Sequence, residues 1–181
     1  MNPIRWLGAA TIAVLSTLSA QAQNQSFSDV VKKVEAKFEP AAAKRGQAVT
    51  WKLTIELIDG WHTYPARQAD PDADSYVNKF KFPTGPAAAF VGDLREPKGT
   101  TRNEAGVKIN MIEGSGTWER TVVIRPDAKP GKLKIKVPVR IMACADRCLP
   151  PQTVNVEAEI NISDAPAVPV DPKYQKDLEK K

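Results

Sequence analysis

The sequence predicts an all-β domain built as an antiparallel β-sandwich. Three observations carry that prediction. Apolar and polar residues alternate with a period of two along several stretches, so each strand turns one face to a core and the other to water. About seven such short strands are separated by Gly, Pro and Asp turn signals, as in sandwiches. No long helical period and no strand–helix–strand alternation is present, so a thioredoxin-like fold is not expected.

Residues 27–33 read as a helical turn leading into a first strand, where Val34, Ala36 and Phe38 alternate with charged residues. Residues 40–46 form a turn. Val49, Trp51, Leu53, Ile55 and Leu57 then share one face, with Lys52, Thr54 and Glu56 opposite, and Asp59 and Gly60 end the strand. Residues 61–74 are irregular and rich in Pro and Asp. Phe80 and Phe82 mark a short strand ending at Pro83, and residues 90–94 another. Residues 96–107 are polar and read as a loop. Residues 107–112 and 118–124 flank Gly114, Ser115 and Gly116, which predicts a hairpin.

The alternation is cleanest at the end of the domain. Leu133, Ile135, Val137, Val139 and Ile141 form one face, and Lys132, Lys134, Lys136 and Arg140 the other. Pro138 falls on the polar side, which predicts an edge strand or a bulge, because proline has no N–H for a ladder. Val154, Val156, Ala158, Ile160 and Ile162 repeat the pattern. From Ser163 the chain becomes Ala/Pro-rich and then charged, so residues 164–181 read as a flexible charged tail.

Residues 1–22 have the composition of an export signal. Arg5 supplies a basic start, residues 7–18 are apolar, and Ala20, Gln21 and Ala22 form a small-residue cleavage site. The apolar run is shorter than the about 20 residues that a membrane-spanning helix needs. The mature chain therefore starts near Gln23, is periplasmic or secreted, and is not membrane-spanning after signal cleavage. Its remaining length, about 160 residues, supports one domain with a core of its own.

The formal charge of +5 comes from basic residues scattered over strand faces, with few aromatics among them. That distribution describes a solvated surface and excludes nucleic acid as a partner. A single histidine, His62, leaves no Ser/His/Asp arrangement, and no Gly-rich phosphate loop is present.

The chemistry concentrates in Cys144 and Cys148, the only cysteines, which sit between the last two strands. In an exported chain they can form a disulfide. A bridge closing so short a loop stabilises by only about 2 kcal/mol on the loop-entropy model, a weak reason to keep one. Three readings stay open: a disulfide-exchange site, a passive bridge in a binding module, and a metal site. The two-copper site of some sandwiches needs two histidines, which excludes it. A Cu(I) site from Cys144, Cys148, Met142 and His62 suits the softness of sulfur. Zinc lacks ligands. Strand parity puts Met142 and Cys144 on the outer face, accessible to solvent. Arg147 beside Cys148 favours its thiolate, and Asp146 opposes it. His62 belongs to Trp61, His62, Thr63 and Tyr64, either an aromatic cluster closing the sandwich or a wall of the cysteine site.

The segment Cys144, Ala145, Asp146, Arg147, Cys148, Leu149, Pro150 and Pro151 resembles the active-site segment of the N-terminal periplasmic domain of DsbD, the thiol:disulfide interchange protein. Asp59, Gly60, Trp61, His62, Thr63 and Tyr64 resemble that family's Asp-Gly-aromatic segment. The resemblance covers about residues 30–162 and implies an immunoglobulin-like sandwich over residues 23–163. It implies that Cys144 and Cys148 are the catalytic redox pair, with Cys148 facing the partner. Trp61, His62, Tyr64, Asp146 and Arg147 would form the partner-binding surface. The implied partners are a thioredoxin-like or membrane electron-donor protein and exported disulfide-containing proteins. No organic cofactor is implied. Two differences stand out: the cysteines are closer in sequence than is usual in the family, and residues 96–108, which correspond to its cap loop, contain no aromatic.

Overall fold

The computed structural model describes residues 25–179. The expected export signal lies outside the described residues. After a helical turn, α1 (Phe27–Val30), the strands follow as β1 (Val31–Glu39), β2 (Ala42–Ala43), β3 (Ala48–Leu57), β4 (His62–Thr63), β5 (Lys79–Phe80), β6 (Ala88–Arg95), β7 (Thr100–Glu104), β8 (Val107–Glu113), β9 (Ser115–Ile124), β10 (Gly131–Ile141) and β11 (Gln152–Ile162).

Successive side chains of a strand point to opposite faces, so the period-two stripes become two inner walls. β3 buries Val49, Trp51, Leu53, Ile55 and Leu57. It sits in a four-stranded sheet of order β1-β3-β9-β6. β10 and β11 pair antiparallel without interruption, from Gly131 opposite Ile162 to Ile141 opposite Gln152. They lie in the second sheet, of order β2-β11-β10-β5. Between the sheets Trp51 and Trp118 meet Val137, Val139, Ile141, Val156 and Ile160 in one core. Each large side chain so buried contributes about 1.5–3 kcal/mol. The architecture is the expected immunoglobulin-like antiparallel sandwich.

Pro138 fits its place in β10. Its carbonyl accepts from Lys81 N at 2.9 Å on the side of the two-residue β5. On that side the sheet almost ends, so a missing N–H costs no ladder.

Three expectations are corrected. Residues 100–104 are a strand, not a loop. β7 is exposed along its whole length and pairs with β8 from Thr100 opposite Met111 to Glu104 opposite Val107. The connecting Ala105 and Gly106 both have positive φ, 52° and 93°, the conformation of a tight two-residue hairpin turn. The predicted hairpin at residues 114–116 is instead a crossing between sheets. β8 joins a third sheet of order β4-β8-β7, while β9 pairs with β3 and β6. Gly116 allows the crossing to be close, since a Cβ there would stand 2.7 Å from Ile112 Cγ2.

The third difference follows β11. The chain crosses Gly46, whose added Cβ would lie 1.8 Å from the Val168 carbonyl oxygen, and ends in a short helix, α2 (Gln175–Glu179). Val170, Tyr174 and Leu178 pack on Ala48, Ala89, Val91 and Val123, the outer face of the first sheet. Tyr174 and Leu178 lie four apart in the helical segment, and Val170 lies in the irregular chain that precedes it. The Pro, Ala and Lys content around them hides this pattern. Among the described residues no helix is long and apolar enough to cross a membrane.

Candidate functional site

The alternation of β10 does not stop at its end. Ile141 and Ala143 belong to the main core, while Met142 and Cys144 point the other way into a smaller cluster. A second backbone runs alongside. His62 N donates to Cys144 O at 2.9 Å, and Cys144 N donates to His62 O at 3.0 Å. β4 also pairs with β8, His62 opposite Glu113 and Thr63 opposite Ile112. Residues 142–144 therefore form an added strand beside the third sheet. In that register Tyr64 falls between Met142 and Met111, and His62 between Cys144 and Glu113.

The cysteine loop stands on two apolar feet. Ala143 and Leu149 are buried in the core and joined by a hydrogen bond, Leu149 N to Ala143 O at 3.0 Å. Between them Ala145 N donates to Arg147 O at 3.0 Å, which folds the loop back on itself. Asp146, Arg147 and Cys148 are exposed at the tip. Cys144 and Cys148 are joined in a disulfide, with S–S 1.98 Å and Cα–Cα 4.0 Å.

The two sulfurs have unequal surroundings. Cys148 is exposed, whereas Cys144 is 1% exposed. The expectation that Cys144 is accessible is thus corrected. Parity put its side chain on the right face, but that face is roofed by Tyr64, Ala73, Ile109 and Met111, with Tyr76, Val107 and Met142 at the margin. β8 supplies Ile109 and Met111 of this roof, and the segment that follows β4 supplies Tyr64 and Ala73.

Tyr64 links the site together. Its hydroxyl is 3.1 Å from His62 Nε2 and 4.0 Å from Cys148 Sγ. Its ring meets His62 edge-on at 5.3 Å and Tyr76 at 5.4 Å. Burial pushes the Tyr64 hydroxyl pKa well up, so it stays a proton donor. Burial likewise pushes His62 down and keeps it neutral, with Arg102 acting in the same sense. Arg102 pairs with Glu113 at 3.0 Å beside the ring.

Asn78, a residue that no motif signalled, holds the two site strands in place. It is 1% exposed. Its Nδ2 donates to Tyr64 O at 2.7 Å and to Thr63 Oγ1 at 2.9 Å, while its Oδ1 accepts from Met142 N at 3.0 Å. Thr63 Oγ1 in turn donates to Met142 O at 2.8 Å. Gln68 does the same for the roof. Its amide donates to Asn110 O at 3.0 Å and its carbonyl accepts from Asn110 N at 2.9 Å, as a neighbouring strand would.

Of the predicted site residues, His62, Tyr64, Cys144 and Cys148 converge. Trp61 is 7% exposed and packs in the main core. Its edge shares a shallow groove with Asp59, Gly60, Asp146 and Arg147 beside the loop. Among the described residues no group of three or more His, Cys, Asp or Glu side chains could hold a metal ion.

The family model described as thiol:disulfide interchange protein DsbD, N-terminal, matches residues 28–160. No curated protein sequence matches the chain. Among solved structures, the N-terminal periplasmic domain of ScsB from Proteus mirabilis aligns with a TM-score of 0.43 at 11% identity. That alignment covers 81% of this chain and 50% of the ScsB chain, so this chain spans half the length of that relative. The Neisseria meningitidis DsbD N-terminal domain in its reduced form aligns with a TM-score of 0.40 at 20% identity, covering 73% of this chain and 84% of that one. A ScaB type I cohesin from Pseudobacteroides cellulosolvens aligns with a TM-score of 0.34 at 10% identity, covering 76% and 96%. With a family match running from α1 to near the end of β11, the chain belongs to the family of DsbD N-terminal domains.

Proposed function

We propose that the Cys144–Cys148 pair exchanges disulfides with partner proteins in the periplasm, after residues 1–22 have directed export. The observation that carries this reading is the asymmetry of the bridge: Cys148 is open at the loop tip and Cys144 is buried beneath Tyr64, Ala73, Ile109 and Met111. An incoming partner thiolate attacks Cys148 Sγ, the Cys144–Cys148 bond breaks, and Cys144 leaves as a thiolate that takes up a proton. A second thiol of the partner then attacks its own sulfur in the mixed disulfide and releases Cys148. The pair has gained two electrons and two protons, and the partner dithiol has become a disulfide. Run in reverse against an exported disulfide protein, the same steps pass the electrons on. No cofactor takes part.

The remaining residues support the sulfur chemistry. The Tyr64 hydroxyl donates towards Cys148 Sγ whenever that sulfur carries charge. Arg147 favours the thiolate and Asp146 tempers it. With the edge of Trp61 they form the rim that a thioredoxin-like or membrane-bound electron donor would meet. Residues 23–163 act as the exchange module, and the segment from residue 164 stiffens the sandwich from outside.

Trapping tests the reading. A thioredoxin-like partner that has lost its resolving cysteine is mixed, as its disulfide with a small thiol, with single-cysteine variants. Cys144→Ser, which retains Cys148, is expected to form a stable mixed disulfide. Cys148→Ser, which retains Cys144, is expected not to. Trapping by neither variant, or equally by both, overturns the reading.

A further inference from the structure

The described residues contain four sulfur atoms, in Met111, Met142, Cys144 and Cys148, and all four lie in one corner of the fold. The only histidine is there too, with Nε2 engaged by the Tyr64 hydroxyl at 3.1 Å. Disulfide exchange uses two of the sulfurs and gives no role to the thioethers. Met142 and Cys144 are two positions apart on one face of an extended chain, so their side chains stand next to each other. Met142 is half-buried and packs against the cluster that holds Cys144, whose disulfide partner Cys148 is exposed. Met111 closes the inner side with Ile109 and Tyr64.

We propose that the reduced site binds one Cu(I) ion through the Cys144 and Cys148 thiolates and the Met142 thioether. Thiolates and thioethers are soft ligands and select Cu(I) over harder ions. Zinc would need further nitrogen or oxygen ligands, and among the described residues no three or more His, Cys, Asp or Glu side chains gather to hold an ion. Tyr64, Tyr76, Ile109 and Met111 keep water from the inner side, while the ion enters past Cys148 and Met142. The step balances without electron transfer. Two thiols lose two protons, two Cu–S bonds form, and the thioether adds a third, while a soft-ligand donor releases the ion. The dithiol form must first be supplied by a thiol reductant. Copper and an intact disulfide exclude each other, so bound Cu(I) would block exchange.

The test uses the purified chain, reduced with a phosphine that is then removed, and titrated anaerobically into the coloured Cu(I)–bicinchoninate complex. Bleaching equivalent to one Cu(I) per reduced chain is expected, with none for the oxidised chain. Met142→Leu conserves volume and is expected to keep the fold, checked by its melting profile, while weakening binding about tenfold or more. X-ray absorption of the loaded protein is expected to show three sulfur neighbours. No bleaching by the reduced chain overturns the proposal. So does binding unchanged by Met142→Leu, or a shell containing nitrogen or oxygen. Copper-free exchange, measured on the same preparations, is expected to be unaffected by Met142→Leu. A chain that binds Cu(I) but does not exchange would count against the exchange reading alone.

Discussion

The Tyr64 hydroxyl stands 4.0 Å from the sulfur of Cys148. Both are fixed by the same local feature, the backbone pairing of His62 with Cys144, which lays the aromatic segment beside the cysteine loop. A buried hydroxyl whose pKa is raised keeps its proton near neutral pH, so it can donate to the sulfur once that carries charge. The disulfide itself gains little from it.

Tyr64→Phe is therefore expected to slow exchange and, through the lost hydrogen bond to His62, to cost about 1 kcal/mol in stability. One hydrogen bond to sulfur, worth about 1 kcal/mol, corresponds to about fivefold in rate. Stopped-flow reduction by a dithiol, with a denaturant midpoint as control, checks it. An unchanged rate would show that the hydroxyl does not act on the sulfur.

Asn78→Ala should cost more in stability than any exposed substitution. It leaves Met142 N, Tyr64 O and Thr63 Oγ1 without their side-chain partner in a buried place. The expected loss is about 3 kcal/mol, because the penalty is desolvation of groups left behind. Urea unfolding of the two chains gives the value, and a loss below about 1 kcal/mol would contradict the bracing role.

His62 should make stability depend on pH. Its folded pKa lies below the ordinary 6.5 because of burial, then Arg102, with Glu113 and Glu104 opposing. The unfolded chain thus takes up the proton first. The contribution is full above about 6.5 and is lost as pH falls through that value towards the folded one. His62→Gln is expected to flatten the change in urea midpoint between pH about 7.5 and about 5. Glu39, held at about 2 by Lys37 and Lys52, titrates below this window. Glu96, raised by burial, contributes below its ordinary 4.5 and loses that contribution as pH rises, equally in both chains. Identical pH slopes for the two chains would remove His62 as the cause.

Ending the chain at residue 163 should expose Ala89, Val91 and Val123. The loss of packing by Val170, Tyr174 and Leu178 is expected to cost about 3 kcal/mol. These residues share none with the cysteine site, so exchange should persist. An unchanged unfolding midpoint would show that the segment does not brace the sheet.

The strands that face a core on one side were legible in the sequence, because burial imposes a period of two. β3, β10 and β11 follow that period over their whole length. β7 was not legible, since every residue of it is exposed and only the ladder to β8 makes it a strand. The cysteine pair and its aromatic neighbours could be named from spacing and resemblance. The unequal burial of the two sulfurs could not, because it depends on what lies over the outer face. Asn78 was silent for a similar reason: its partners are backbone groups from segments distant in the chain.

The most direct measurement of the central claim is the midpoint potential of the Cys144–Cys148 pair, titrated against dithiol buffers with acid quenching and thiol alkylation. A redox pair open at Cys148 is expected to titrate above about −300 mV, below which structural bridges resist reduction. A pair that remains oxidised at that potential, with Cys148 unalkylated, would contradict the account.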